Sequence, residues 1–208
     1  MKPPYPYEDA PRLPVLGPID TASLTVRRSG DLEIEIGPGR GAFLIERAQE
    51  RPEARVVGLE IRWKWATLVD RRLAAMGLGE RARVYAEDAR LILPRLGPDQ
   101  RVSAFFIHFP DPWWKARQRK RLVVGSAFLD AIARLLVPQG MLFVQTDVAE
   151  RAQAYDALIS AHGAFGPDGD GAGSARLGQV SWQSKGNREK RATADGIPIV
   201  RLRYRKVQ

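Results

Sequence analysis

The run Glu35-Ile36-Gly37-Pro38-Gly39-Arg40-Gly41 sets a carboxylate two residues before the first of three glycines on alternate positions. Glycines in such a loop let the backbone turn sharply and approach a ligand with no Cβ in the way. Two further acids stand at the ends of the next two strand-like segments, Glu60 ending one and Asp88 following the other. In an open α/β sheet, ligands bind beyond the carboxyl ends of the strands, so Glu35, Glu60 and Asp88 can converge on one cleft with Gly37, Gly39 and Gly41. The glycine spacing leaves two ligands open. Gly37-x-Gly39-x-x-Ala42 also satisfies the dinucleotide fingerprint, with Glu60 near the place of its ribose acid. The acids favour S-adenosylmethionine over NAD. Carboxylates repel a diphosphate, whereas a sulfonium, an ammonium and ribose hydroxyls are suited to them.

A second stretch, Phe109-Pro110-Asp111-Pro112-Trp113-Trp114-Lys115, joins a carboxylate, two indoles and a cation at the end of an apolar run. The prolines stiffen the chain around Asp111. Aromatic faces stack on bases and cations hold phosphates, so this loop can present a nucleic-acid base. His108, alone in an apolar strand, reads as a structural histidine.

These residues need elements to position them. Residues 1–20 hold six prolines and read as an extended, flexible arm. From Asp31 onward, strand-like and helix-like periodicities alternate. Strands are predicted at 32–36, 56–61, 81–86, 102–109, 140–146 and 197–204, and helices at 42–50, 64–76, 126–136 and 149–160. That alternation predicts a Rossmann-like, doubly wound, mostly parallel sheet with helices on both faces. Residues 21–208 then form one domain, with a mobile loop where Gly and Asp crowd residues 163–178.

The charge has a location. The chain of 208 residues carries a net charge of +9. Residues 115–121 contribute a local +5 and residues 185–206 a local +6, which leaves the remainder slightly acidic. Both segments read as grips for a polyanion. With no cysteine and two distant histidines, disulfides, thiolate nucleophiles and Cys- or His-based metal centres are excluded as the chemistry. No apolar run reaches membrane-spanning length, and the first residues lack a signal-peptide core. A cytoplasmic location, with no membrane or metal partner, is the expectation.

The segments E-I-G-P-G-R-G, G-L-E-I, E-D-A, F-P-D-P-W-x-K-x-R-x-K-R and Gln145-Thr146-Asp147 resemble, in order, the bacterial tRNA (guanine-N7-)-methyltransferases. The resemblance runs from about Asp31 to Asp147 and more weakly to the end. It implies a class I methyltransferase fold, S-adenosylmethionine as cofactor and a guanine in the tRNA variable loop as target. It places Glu35, Glu60, Asp88 and Asp111 around the cofactor, with Asp111 as the catalytic acid. Lys115 and Asp147 become substrate contacts, and Arg117, Arg119, Lys120 and Arg121 a grip on the tRNA backbone. The basic run differs from the family pattern at Ala116 and Gln118, and Trp114 stands where proline is usual. Of the family's late substrate motif, Gly186-Asn187-Arg188-Glu189 retains Glu189. Alternatives are a non-catalytic tRNA-binding protein on this fold, or a methyltransferase for another RNA or a small molecule.

Overall fold

The computed structural model describes residues 7–110 and 124–207. In chain order the strands are β1 (Ile19–Asp20), β2 (Leu32–Ile36), β3 (Arg55–Leu59), β4 (Ala82–Tyr85), β5 (Leu96–Gly97), β6 (Val102–His108), β7 (Leu136–Thr146), β8 (Phe165–Pro167), β9 (Arg176–Leu177) and β10 (Val200–Lys206). The α-helices are α1 (Ala42–Glu50), α2 (Trp63–Ala75), α3 (Ala89–Ile92), α4 (Ser126–Leu135), α5 (Ala149–Ser160) and α6 (Asn187–Ala194).

The main sheet runs β4-β3-β2-β6-β7-β10-β8, with β9 also paired to β10. Strands β4, β3, β2, β6 and β7 are parallel, and β10 is antiparallel to β7. The chain moves outward from β2 through β3 to β4, then returns to the other side of β2 at β6. The strand order therefore reverses between β2 and β6, where an α/β sheet opens its ligand crevice.

The residue pattern explains the burial. All five residues of β2 and all five of β3 are buried, as parallel strands covered by helices on both faces must be. On β6, Phe105 and Ile107 join the main core, while Ala104 and Phe106 turn to a second cluster with Phe43, Phe143 and Trp182. Glu33 lies on that second face and is matched by Arg47 of α1 through two hydrogen bonds of 2.7 and 2.8 Å. The Arg47 guanidinium also lies over the rings of Phe106 and Trp182. A buried charge needs such pairing, since desolvation alone would expel it.

Two regions read from composition gain definite structure. Residues 163–178 contain β8 and β9, both paired with β10. In the proline-rich arm, Ala10 and Leu13 are buried. The Leu13 N–H donates to Glu87 at 2.9 Å, and the Ala86 N–H donates to the Pro11 carbonyl at 2.7 Å. This part of the arm is thereby laid across the carboxyl end of β4.

Candidate active site

The glycine loop joins β2 to α1 at the reversal of strand order. Gly37, Gly39 and Gly41 all have positive φ, between 57° and 74°. At Gly41 the demand is steric as well, because an added Cβ would stand 2.4 Å from Val69 Cγ1 of α2. The sequence signal missed Gly58. A Cβ there would stand 2.7 Å from Leu44 and 2.8 Å from Pro38, so the bare strand lets the loop and α1 settle onto β3.

Glu60 follows β3 and is 2% exposed. Its Oε2 accepts from the Gly39 N–H at 2.8 Å, and its Oε1 accepts from the Arg62 N–H and Nε at 3.0 and 2.8 Å. The acid predicted as a ligand group thus also fixes the shape of the loop. Arg62, which the sequence reading did not single out, completes its charge balance, and the pairing raises the Arg62 pKa. Asp88 caps α3 by accepting from the Arg90 N–H at 3.0 Å. Hydrogen bonding from the Arg90 side chain, against the opposing effect of burial, holds the Asp88 carboxyl below its ordinary range.

Glu35 is different. Its Oε1 lies 2.8 Å from His108 Nδ1, with both side chains buried. Its Oε2 is buried with no hydrogen-bond partner among the described residues. An acidic oxygen left bare beside a glycine loop suits a cationic donor arriving as ligand, as S-adenosylmethionine's ammonium would. At Gly37 the loop is open, with no atom of the described residues beyond its chain neighbours within 4 Å of where a Cβ would be.

Immediately after β6, Phe109 takes φ of 49°, a left-handed conformation that is costly for a bulky residue. Its N–H donates to the Gln145 carbonyl at 2.7 Å. Such strain is kept where the surrounding structure over-determines it, commonly at functional sites. Asp111, Lys115, Arg117, Arg119, Lys120 and Arg121 lie outside the described residues.

The late segment lies against α1 and the end of β7. Asp147, just past β7, accepts from Arg188 Nε at 2.7 Å and pairs with its Nη2. Glu189, expected among the substrate contacts, is 3% exposed. Its two oxygens accept from Gln145 Nε2 at 3.1 Å and Arg201 Nη2 at 3.0 Å. Both acceptor atoms are thus engaged inside the fold. From α1, Glu50 accepts from the Gln183 N–H at 2.9 Å and Glu46 from the Lys185 N–H at 2.9 Å. Lys190 also pairs with Glu46. These two glutamates clamp the late segment against the helix that starts at the glycine loop. Sequence reading had no means to find them, because their partners lie more than 130 residues away.

Most cations of residues 185–206 have partners inside the fold. Of the eight, Arg188, Lys190, Arg191, Arg201, Arg203 and Arg205 are each paired with a carboxylate. Lys206 is buried and donates to the Leu136 carbonyl at 2.9 Å. Pairing offsets part of this charge, although Arg188, Lys190, Arg191 and Arg205 stay partly or largely exposed.

Among the described residues no helix is long and apolar enough to cross a membrane, and no group of three or more His, Asp or Glu could hold a metal ion. The sheet order, the glycine loop at the reversal and the acids at the strand ends define the class I S-adenosylmethionine-dependent methyltransferase fold. Solved structures agree: a 16S rRNA methyltransferase, KamB, superposes with a TM-score of 0.56 at 16% identity, covering 85% of this chain and 87% of that one. The sequence model of a family described as "Putative methyltransferase" matches residues 29–201. The tRNA (guanine-N(7)-)-methyltransferase of Myxococcus xanthus is 35% identical over 86% of this chain and 84% of its own length. That of Anaeromyxobacter dehalogenans is 35% identical over 84% of this chain and 85% of its own. The chain belongs to the tRNA (guanine-N(7)-)-methyltransferase family.

Proposed function

We propose that this protein transfers a methyl group from S-adenosylmethionine to N7 of a guanine in the tRNA variable loop. The observation that carries the cofactor side is the buried Oε2 of Glu35, which has no hydrogen-bond partner among the described residues, at the reversal of strand order. Family membership supplies the substrate class.

When bound, the cofactor supplies an electrophilic methyl on a sulfonium. Guanine N7 has an in-plane lone pair, so no residue must first remove a proton. The task of the chain is alignment, which is worth roughly 7–11 kcal/mol at best. Glu35, Glu60 and Asp88, with Gly37, Gly39 and Gly41, line the cofactor side. Asp111 holds the base edge and favours the positive charge that develops on the purine. Lys115, Arg117, Arg119, Lys120 and Arg121 grip the tRNA backbone. Asp147, with Arg188, forms the wall that the RNA meets. Glu189 serves that wall from beneath by holding Gln145 and Arg201. A cytoplasmic location belongs to the same reading, because the substrate is tRNA.

Incubating tRNA with labelled S-adenosylmethionine and the protein, then analysing nucleosides by mass spectrometry, is the test. Labelled 7-methylguanosine is the expected product. Label in another nucleoside, or binding of tRNA without transfer, would overturn the assignment in favour of another RNA modification or a non-catalytic binder.

A further inference from the structure

The His108–Glu35 contact joins β6 to β2 across the point where the strand order reverses. The sequence reading gives His108 no role beyond packing. The imidazole is held by aromatic neighbours: Phe43 meets it edge-on at 4.1 Å between ring centroids, and Phe106 and Phe143 each lie at 5.8 Å. These contacts fix the ring plane and therefore the place from which Nδ1 meets the carboxylate. Glu35 has no other side-chain partner among the described residues, and its second oxygen is bare. The contrast with Glu60 is direct, since that carboxylate is tied down by a backbone N–H and an arginine. Buried polar atoms are almost always satisfied, so the two orphans of this pair, Glu35 Oε2 and His108 Nε2, call for partners beyond the described residues, and for Oε2 beside the crevice a cationic ligand group is such a partner.

We infer that His108 is a positioning residue for cofactor binding. Nδ1 donates to Glu35 Oε1 and pins that oxygen, so that Oε2 is held ready for the ammonium group of S-adenosylmethionine. The inference rests on Glu35 being a cofactor residue and goes one residue further. A carboxylate without this partner would rotate or take up water, and the ligand would have to reorder it on binding.

The test measures equilibrium binding of S-adenosylhomocysteine, which keeps the amino group and needs no turnover. His108→Asn puts an amide donor near the place of Nδ1, whereas His108→Gln puts it near Nε2. His108→Phe fills the space with no donor. Affinity is expected to fall roughly tenfold in the Phe and Gln variants, the loss of one hydrogen bond to a charged group, and to stay within about threefold in the Asn variant. KM for S-adenosylmethionine should rise in parallel, with kcat nearly unchanged. In a Glu35→Gln background the His108 substitutions should add little. Thermal midpoints identify any variant that fails to fold, and the Asn–Gln comparison stands without the Phe variant. Equal affinities for the Asn and Gln variants, or full additivity with Glu35→Gln, would overturn the inference. Wild-type protein that binds S-adenosylhomocysteine but leaves tRNA unmodified would sink the guanine reading and leave this one standing. Wild-type protein that binds no S-adenosylhomocysteine would overturn both.

Discussion

At the glycine loop a carboxylate is buried with an oxygen left bare, while across the sheet the late segment pairs nearly every charge it carries. Glu35 Oε2 has no hydrogen-bond partner among the described residues. The arginines of β10 are matched instead: Arg201 with Glu189, and Arg203 and Arg205 with Asp168. A count of charges along the sequence treats both regions alike. The structure separates a buried carboxylate oxygen with no partner among the described residues from charges engaged in ion pairs. The lesson is that a basic segment indicates an anionic partner only after its internal ion pairs have been subtracted.

That contrast is open to direct tests. Asp111→Ala should have the largest effect on the reaction, cutting methyl transfer on the order of a hundredfold or more with an unchanged circular dichroism spectrum. Near-normal single-turnover rates would remove Asp111 from the chemistry. On the stability side, Gly41→Val adds side-chain bulk where Val69 already stands and φ is 74°. It should cost about 2 kcal/mol or more in urea denaturation, and a neutral result would show that α2 yields easily.

The two basic segments can be set against each other. Neutralising Lys115, Arg117, Arg119, Lys120 and Arg121 should weaken tRNA binding and flatten its dependence on salt. Replacing Arg203 and Arg205 by Gln should leave the salt slope as it was and lower the thermal midpoint, by about 1 kcal/mol for each partly buried pair. A flattened slope in the tail variant would restore the tail as an RNA contact.

The smallest effect concerns pH. Burial works to raise the carboxyls of Glu46 and Glu50, yet hydrogen bonds outweigh it and both end below their ordinary value of 4.5. The donors are the Lys190 side chain and Lys185 N–H for Glu46, and the Ser184 side chain and the N–H groups of Gln183 and Ser184 for Glu50. A depressed folded-state pKa stabilises above the unfolded value and loses that stabilisation as pH falls through the folded value. The clamp on residues 183–190 should therefore hold at neutral pH and loosen as pH drops below about 4.5. Amide exchange in α6 should accelerate there before exchange in β2 and β3 does. Simultaneous acceleration in both would mean that the clamp has no separate stability.

The fold was legible because periodicity reports burial directly. The run 102–109 is apolar on both faces, and β6 is covered on both. The helix expected at 64–76 forms as Trp63–Ala75. Residues 163–178 were harder to read, since β8 and β9 exist only through backbone pairing with β10, which composition does not record. Within the site, Glu35, Glu60 and the glycine loop could be identified from type and spacing. Their individual states could not, because Arg62, Val69 and His108 act on them through space.

The sequence by itself determined the alternation of strands and helices, the acids at the strand ends and the glycines between β2 and α1. These follow from local pattern, the period of burial and the geometry each residue type permits. Tertiary structure alone decided which charges remain available. Glu60 is engaged by a loop amide and Arg62, Glu189 lies beneath the surface, six of the eight tail cations are paired with carboxylates, and His108 faces Glu35 across two neighbouring strands. Each outcome depends on distance between residues far apart in the chain. Electrostatic and hydrogen-bond energies are set by that distance and by burial, neither of which a residue's type contains.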